Sequence, residues 1–285
     1  SAMKNYIGGV ILFDETIRQK TSSGISICEL ISKNESVPGI KVDAGAKPLA
    51  GSGSETITEG LDGLRDRLKE YYQMGARFTK WRAVYNIGSG FPSAQSIKSN
   101  SHALARYAAL VQEADMVPMV EPEVLMDGNH DINKCYEVTK AVLNECFNEL
   151  TIHKINLKGI ILKPNMVLPG SKCSTKVSSD EIAKKTLDCL KKNVPLDVPG
   201  ISFLSGGQSE VEASKNLSEI NKINDTNFLI TFSYGRALQA SALKAFGKNT
   251  KDMSKIQKIF GHRAKMNGLA SKGEWTESLE KETKA

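Results

Sequence analysis

The chain has 285 residues, 40% hydrophobic and 25% charged, enough to bury one sizeable core in a single globular body. Its formal net charge of +6 suits an anionic ligand and is too mild to argue for nucleic acid. No apolar run approaches the ~18 residues of a membrane span, no signal peptide is read at the start, and the five cysteines form no CxxC pair, as expected of reduced thiols in a cytoplasmic protein.

In chain order, short apolar or β-branched runs at 7–13, 39–42, 78–84, 117–120, 159–162, 200–204 and 228–232 predict strands. Between them lie stretches such as "GLDGLRDRLKEYYQMGA", "NSHALARYAALVQEA", "KCYEVTKAVLNECFNEL" and "SSDEIAKKTLDCLKKNV". Their apolar residues recur at i, i+3, i+4 and i+7, the period of a helix with one buried face. "SSDE" has the form of a capping box and marks a helix start. Strand then helix, repeated with little else, implies parallel strands joined by crossovers. The expected fold is α/β, a (β/α)8 (TIM) barrel, with an open doubly wound sheet as the alternative. A closed barrel needs eight strands, and the pattern supplies seven. Either one strand escapes the pattern, or the first β/α unit is absent from the chain as given and an upstream unit or another segment takes its place. One domain is expected over 1–270. The polar stretch 271–285, with only Trp275 and Leu279 to bury, is expected to be a mobile tail.

Active sites of parallel barrels lie at the C-terminal ends of the strands, and there this chain carries Lys41, Lys80, Arg82, Glu121, Glu123 and Lys163. A lone strand-end lysine is commonly a side chain with its stem buried and its head in water. Several around one shared mouth imply more, since an amine beside other cations in a partly apolar site loses its proton readily and can attack a carbonyl. This is Schiff-base chemistry. Lys163 ends the most apolar of these strands and is the expected nucleophile, with Lys80 and Lys41 supplying neighbouring charge. Glu121 and Glu123, two apart in "VEPEV", serve either the proton transfers that imine chemistry needs or the pairing of those lysines; both readings stand.

Two glycine-containing stretches, "LSGGQSEVEA" and "FSYGRALQASAL", follow the last two predicted strands and open helices. Helix N-termini bind anions and glycine lets a phosphate approach closely, so Gly206, Gly207 and Gly235 are candidate phosphate ligands, although Gly206-Gly207 also suits a plain tight turn. Arg236 adds a planar fork for phosphate oxygens. "LSGGQ" looks like the signature of ABC-type ATPases, but the Walker A loop that such proteins need does not occur. The four histidines show no HExxH or other ligand spacing, so no metal is expected, and no cofactor.

The segments "IGGVILFDET", "GIKVD", "KPLAG", "TEGLDGL", "KWR", "VEPE", "LKPNMV", "FLSGGQSE" and "TFSYGRALQASALKA" run in order through nearly the whole chain and closely resemble class I fructose-1,6-bisphosphate aldolase. The resemblance implies a metal-free (β/α)8 barrel, usually a homotetramer. It would cleave fructose 1,6-bisphosphate reversibly to dihydroxyacetone phosphate and glyceraldehyde 3-phosphate, in glycolysis and gluconeogenesis. It implies Lys163 as the Schiff-base lysine, Glu121 as the general acid/base, and Glu123 and Lys80 as supporting charges. Ser205, Gly206, Gly235 and Arg236 would hold one phosphate, and Lys41 and Arg82 would serve the other. Two features of the family have no counterpart here: an upstream "LAADES"-like motif, whose aspartate assists carbon–carbon cleavage, and the C-terminal tyrosine of vertebrate members. The competing expectation is a truncated, weakly active or non-catalytic barrel that binds sugar phosphates or a protein partner.

Overall fold

The computed structural model describes residues 2–282. In chain order the elements are α1 (Ala2–Tyr6), β1 (Gly9–Leu12), α2 (Asp14–Ile17), α3 (Ile27–Lys33), β2 (Val37–Lys41), β3 (Gly45–Pro48), β4 (Thr56–Glu59), α4 (Leu64–Gln73), β5 (Phe78–Tyr85), α5 (Ala94–Glu113), β6 (Val117–Val124), α6 (Ile132–Ile152), β7 (Ile161–Leu162), α7 (Ser179–Asn193), β8 (Gly200–Phe203), α8 (Glu210–Lys222), β9 (Leu229–Phe232), α9 (Arg236–Lys248), α10 (Met253–Ala270) and α11 (Glu277–Lys281). Seven strands form one sheet in the order β1-β2-β5-β6-β7-β8-β9, every neighbouring pair parallel.

Alternation of side chains across each strand gives the sheet two faces. Ile40, Trp81, Val120, Leu162 and Ile201 project outward and are fully buried beneath the helices; Trp81, for example, lies with its ring centroid 5.4 Å from that of Tyr107 on α5. The opposite face is concave, because one cavity of about 800 Å³ is lined by residues from all seven strands, among them Val10, Lys41, Lys80, Met119, Ile161, Ser202 and Thr231. At its floor Phe78 lies across Gly39, where a Cβ would collide with the ring. The sheet curls like a barrel but stays open: among the described residues no strand joins β9 to β1.

The strands depart from the expected ranges for identifiable reasons. β7 is shorter, since residues 157–159 form a 3₁₀ turn, and Lys163 extends the ladder only through its N–H to Val120 O at 2.8 Å. β6 runs on through Pro122 to Val124. Val120 directs its carbonyl toward β7, so Pro122, two residues on, has its missing N–H on that same side. There β7 has already turned away, and the side chain of Asn165 accepts the Val124 N–H at 2.9 Å instead. The antiparallel hairpin β3–β4 was not expected at all; "GAKP" and "TITE" are too short and polar to show a strand period. "SSDE" does start a helix, with Ser178 accepting from Glu181 N, yet the full reciprocal box is at Ser209 and Glu212 on α8.

The stretch expected to be a mobile tail is seated as far as it is described. Trp275 is 3% exposed and donates its indole N–H to Glu280 at 2.8 Å, while Glu280 also pairs with Arg263. One tryptophan and one largely buried ion pair anchor a segment whose composition is otherwise polar. Residues 283–285 of that tail lie outside the described residues.

Candidate active site

Register brings the strand-end charges to one end of the concave face. Lys41 is aligned with Lys80, and Arg82 with Glu121, so the inward-facing set stacks in layers two residues apart. A chain of alternating charge results. Lys41 Nζ is 2.7 Å from Asp43 Oδ1, Lys80 Nζ 3.8 Å from Asp43 Oδ2 and 3.2 Å from Glu121 Oε2, and Lys163 Nζ 3.1 Å from Glu121 Oε1. Arg82 Nε closes the set at 2.5 Å from Glu123. All six strand-end residues singled out from sequence thus meet in one cluster.

Most of this charge is out of water. Lys163 and Lys80 are each 8% exposed, and Glu121, Glu123 and Asp43 are buried. Burial of an ammonium disfavours its protonated form. The amine of Lys163 is accordingly held below the ordinary lysine range, by burial first, with Glu121 opposing and the charge of Lys80 adding to the shift. Glu121 therefore sits between two ammonium groups. Its Oε2 forms no hydrogen bond of good geometry even though Lys80 is near, which leaves a buried acceptor directed into the cluster.

Asp43 is the member that sequence reasoning missed. It anchors Lys41 through both its carboxylate and its backbone carbonyl, accepts the Gly45 N–H at 3.1 Å, and balances Lys80. Its signal was present in "GIKVD", where Asp43 stands two residues after Lys41 and so on the same face.

The glycine-containing loops lie beside this cluster. Leu204 N donates to Pro164 O, and Ser233 N to Phe203 O, so the segments after β7, β8 and β9 stand side by side. Gly206 and Gly207 adopt φ of 58° and 87°, which a side chain would strain, and Ser205 is buried. The start of α8 carries its own cap, with Ser209 accepting from Glu212 N and Glu212 from Ser209 N, while Glu210 directs its carboxylate to Ser241 on α9. The N-terminus of α9 behaves differently: Gly235 gives it no side-chain cap, and its first residue is Arg236. Arg236 is exposed and forms no hydrogen bond or ion pair among the described residues. Gly235 shares the cavity wall with Lys41, Lys80 and Lys163, whereas Ser205, Gly206, Gly207 and Arg236 lie outside that lining.

With this geometry in place, comparison with known proteins is informative. The glycolytic family described as fructose-bisphosphate aldolase class-I matches residues 1–285. The probable fructose-bisphosphate aldolase class 1 of Xanthomonas axonopodis pv. citri (strain 306) is 53% identical over 274 residues, covering 96% of this chain and 82% of its own. The cytosolic fructose-bisphosphate aldolase 4 of Arabidopsis thaliana is 52% identical over 269 residues, 94% of this chain and 68% of its own. The fructose-bisphosphate aldolase of Plasmodium falciparum, solved in complex with TRAP and a small-molecule inhibitor, superposes with a TM-score of 0.94 at 43% identity, covering 96% of this chain and 80% of that one. The chain belongs to the class I fructose-bisphosphate aldolases, lyases built on a TIM-barrel fold.

Proposed function

We propose that Lys163 is the amine through which this aldolase works, and that fructose 1,6-bisphosphate is cleaved over the Lys163–Glu121–Lys80 cluster. The observation that carries the reading is the contact of a buried lysine, its amine held below the usual range, with a carboxylate that faces two ammonium groups. The neutral amine adds to the ketone carbon. Two protons then reach the former carbonyl oxygen, it leaves as water, and a protonated imine remains. That imine accepts the electron pair of the adjacent carbon–carbon bond as it breaks, while the neighbouring hydroxyl gives up its proton and becomes the aldehyde. The resulting enamine takes a proton on carbon, and water returns the ketone and the free amine. Glu121 is the group assigned to the proton transfers on the carbinolamine, since one oxygen faces Lys163 and the other has no hydrogen bond.

Arg236, Ser205, Gly206, Gly207 and Gly235 hold one phosphate of the substrate, and Lys41 and Arg82 serve the other. Glu123 keeps Arg82 in place. The working assembly is a homotetramer in the cytosol. Cytosolic relatives support the compartment, and among the described residues no helix is long and apolar enough to cross a membrane.

A second reading, sugar-phosphate binding with slow cleavage, has one observation in its favour: among the described residues no strand pairs β9 with β1, and a site less closed to water suits an imine less well. Borohydride reduction with dihydroxyacetone phosphate tests the first reading and separates the second. One substrate mass mapped to Lys163, together with cleavage of the bisphosphate, supports the aldolase. The same label without cleavage supports binding alone, and a label on Lys41 or Lys80 removes Lys163 from its role.

A further inference from the structure

On the outer helical layer, remote from the cavity, three donors of metal-binding type converge. His102 lies on α5, Glu149 on the last turns of α6, and His153 just past the end of α6. Glu149 and His153 are four apart, which sets them on one helix face, and helix packing brings His102 to the same place. His102 Nδ1 is 3.0 Å from Glu149 Oε2, His153 Nδ1 is 3.6 Å from the same oxygen, and the three donor atoms lie within 4.8 Å of one another. A tetrahedral zinc ion with ligands at about 2.0–2.2 Å holds its ligand atoms roughly 3.3–3.6 Å apart, a spacing that the two Glu149 contacts already approach.

We propose that His102, Glu149 and His153 form a site for one divalent transition-metal cation, with zinc suiting its two imidazoles and one carboxylate, and that the cation ties α5 to α6. Glu149 is 4% exposed, yet among the described residues its only lysine or arginine ion pair is with Lys98, whose Nζ is 4.0 Å from Oε1 and whose side chain is 68% exposed. His102 donates a hydrogen bond to Oε2, while His153 faces the same oxygen at 3.6 Å without bonding to it. His153 Nδ1 at present directs its proton to Glu149 O at 2.9 Å, so binding exchanges that hydrogen bond for a metal bond and releases the proton. His102 and His153 also line a surface cavity of about 570 Å³, which gives water room to complete the coordination. Arg106 lines the same cavity, and Arg65 there is already paired with Glu113 at 2.6 Å, so most of the local positive charge is exposed to solvent or neutralised.

Zinc titration of the chelator-stripped full chain tests this, read by a competing dye for stoichiometry and by the thermal unfolding midpoint. Cys173→Ser is introduced throughout, because Cys173 is the one cysteine not buried. One equivalent should bind, and at a hundredfold excess over Kd the midpoint should rise by roughly 5 °C or more. His102→Gln keeps a hydrogen-bond donor toward Glu149 and should fold as the parent does, yet bind zinc more than about tenfold more weakly. His153→Ala should do the same and lose the zinc-dependent rise in midpoint. Absence of saturable binding overturns the proposal, as does one-equivalent binding that survives in both histidine variants.

Discussion

Lys163 and Arg236 are both cations at the C-terminal rim of the sheet, and the protein treats them in opposite ways. Lys163 is buried against Glu121 with its amine below the ordinary range. Arg236 stands exposed at an uncapped helix start, with no partner among the described residues. The difference lies in desolvation. An amine stripped of water and placed beside a second cation holds its proton less tightly, whereas a solvated guanidinium keeps its charge. A strand-end position alone does not decide between the two.

The largest effect expected from breaking this contrast comes at its buried side. Lys163→Met should lower kcat/KM by about 10⁴-fold or more and abolish borohydride trapping; a variant that still traps one substrate mass would refute the assignment. Glu121→Gln comes next, with a loss of about 10²–10⁴-fold in kcat. It should also destabilise the fold, by up to roughly 3–5 kcal/mol, because the buried side chains of Lys80 and Lys163 lose the carboxylate that lies 3.2 Å and 3.1 Å from them. Chemical denaturation read beside kinetics separates the two losses, and unchanged stability would show the pairing to be unimportant.

At the exposed side, Arg236→Ala should weaken phosphorylated ligands by about 1.5–3 kcal/mol and leave an unphosphorylated ketose almost unaffected. Equal losses for both ligands would mean that Arg236 acts on the fold. Thermal stability should hardly move, since among the described residues the exposed side chain has no hydrogen bond or ion pair to lose.

The smallest effect is in pH. Lys163 has a folded pKa below its unfolded value, so between the two the unfolded chain binds more protons and stability rises with pH. Below the folded value both states carry the proton and the cost of burying the charge is constant. The stability of the parent relative to Lys163→Met should therefore increase as pH climbs toward ~10.4, the ordinary lysine value. Urea unfolding from neutral pH upward measures it, and a falling difference would contradict the shift.

How much of this was legible depended on how local the cause was. The strands at 78–84 and 117–120 announced themselves because burial on one or both faces leaves a short-range apolar record. The hairpin β3–β4 left none, because it is held by Asn100 and Arg82 from distant elements: Asn100 accepts from Thr58 N, and Thr58 Oγ1 donates to Arg82 O. Glu121 and Lys163 were singled out by position, yet their 3.1 Å contact is a property of β6 and β7 lying side by side. Asp43 was in view and passed over, because its value depends on Lys80 from another strand.

By itself the sequence determined the alternation of strand and helix, the parallel sense of the sheet, and the placing of lysines and carboxylates at the strand ends. Each of these follows from periodicity and chain connectivity within a few dozen residues. Tertiary structure alone decided that Glu121 meets both Lys80 and Lys163, that Arg263 and Glu280 hold the tail, and that His102 meets Glu149 across 47 positions of sequence. Such meetings arise when helices are laid over a curled sheet. Packing sets those distances to a fraction of an ångström, and nothing in the local spacing of residues records them.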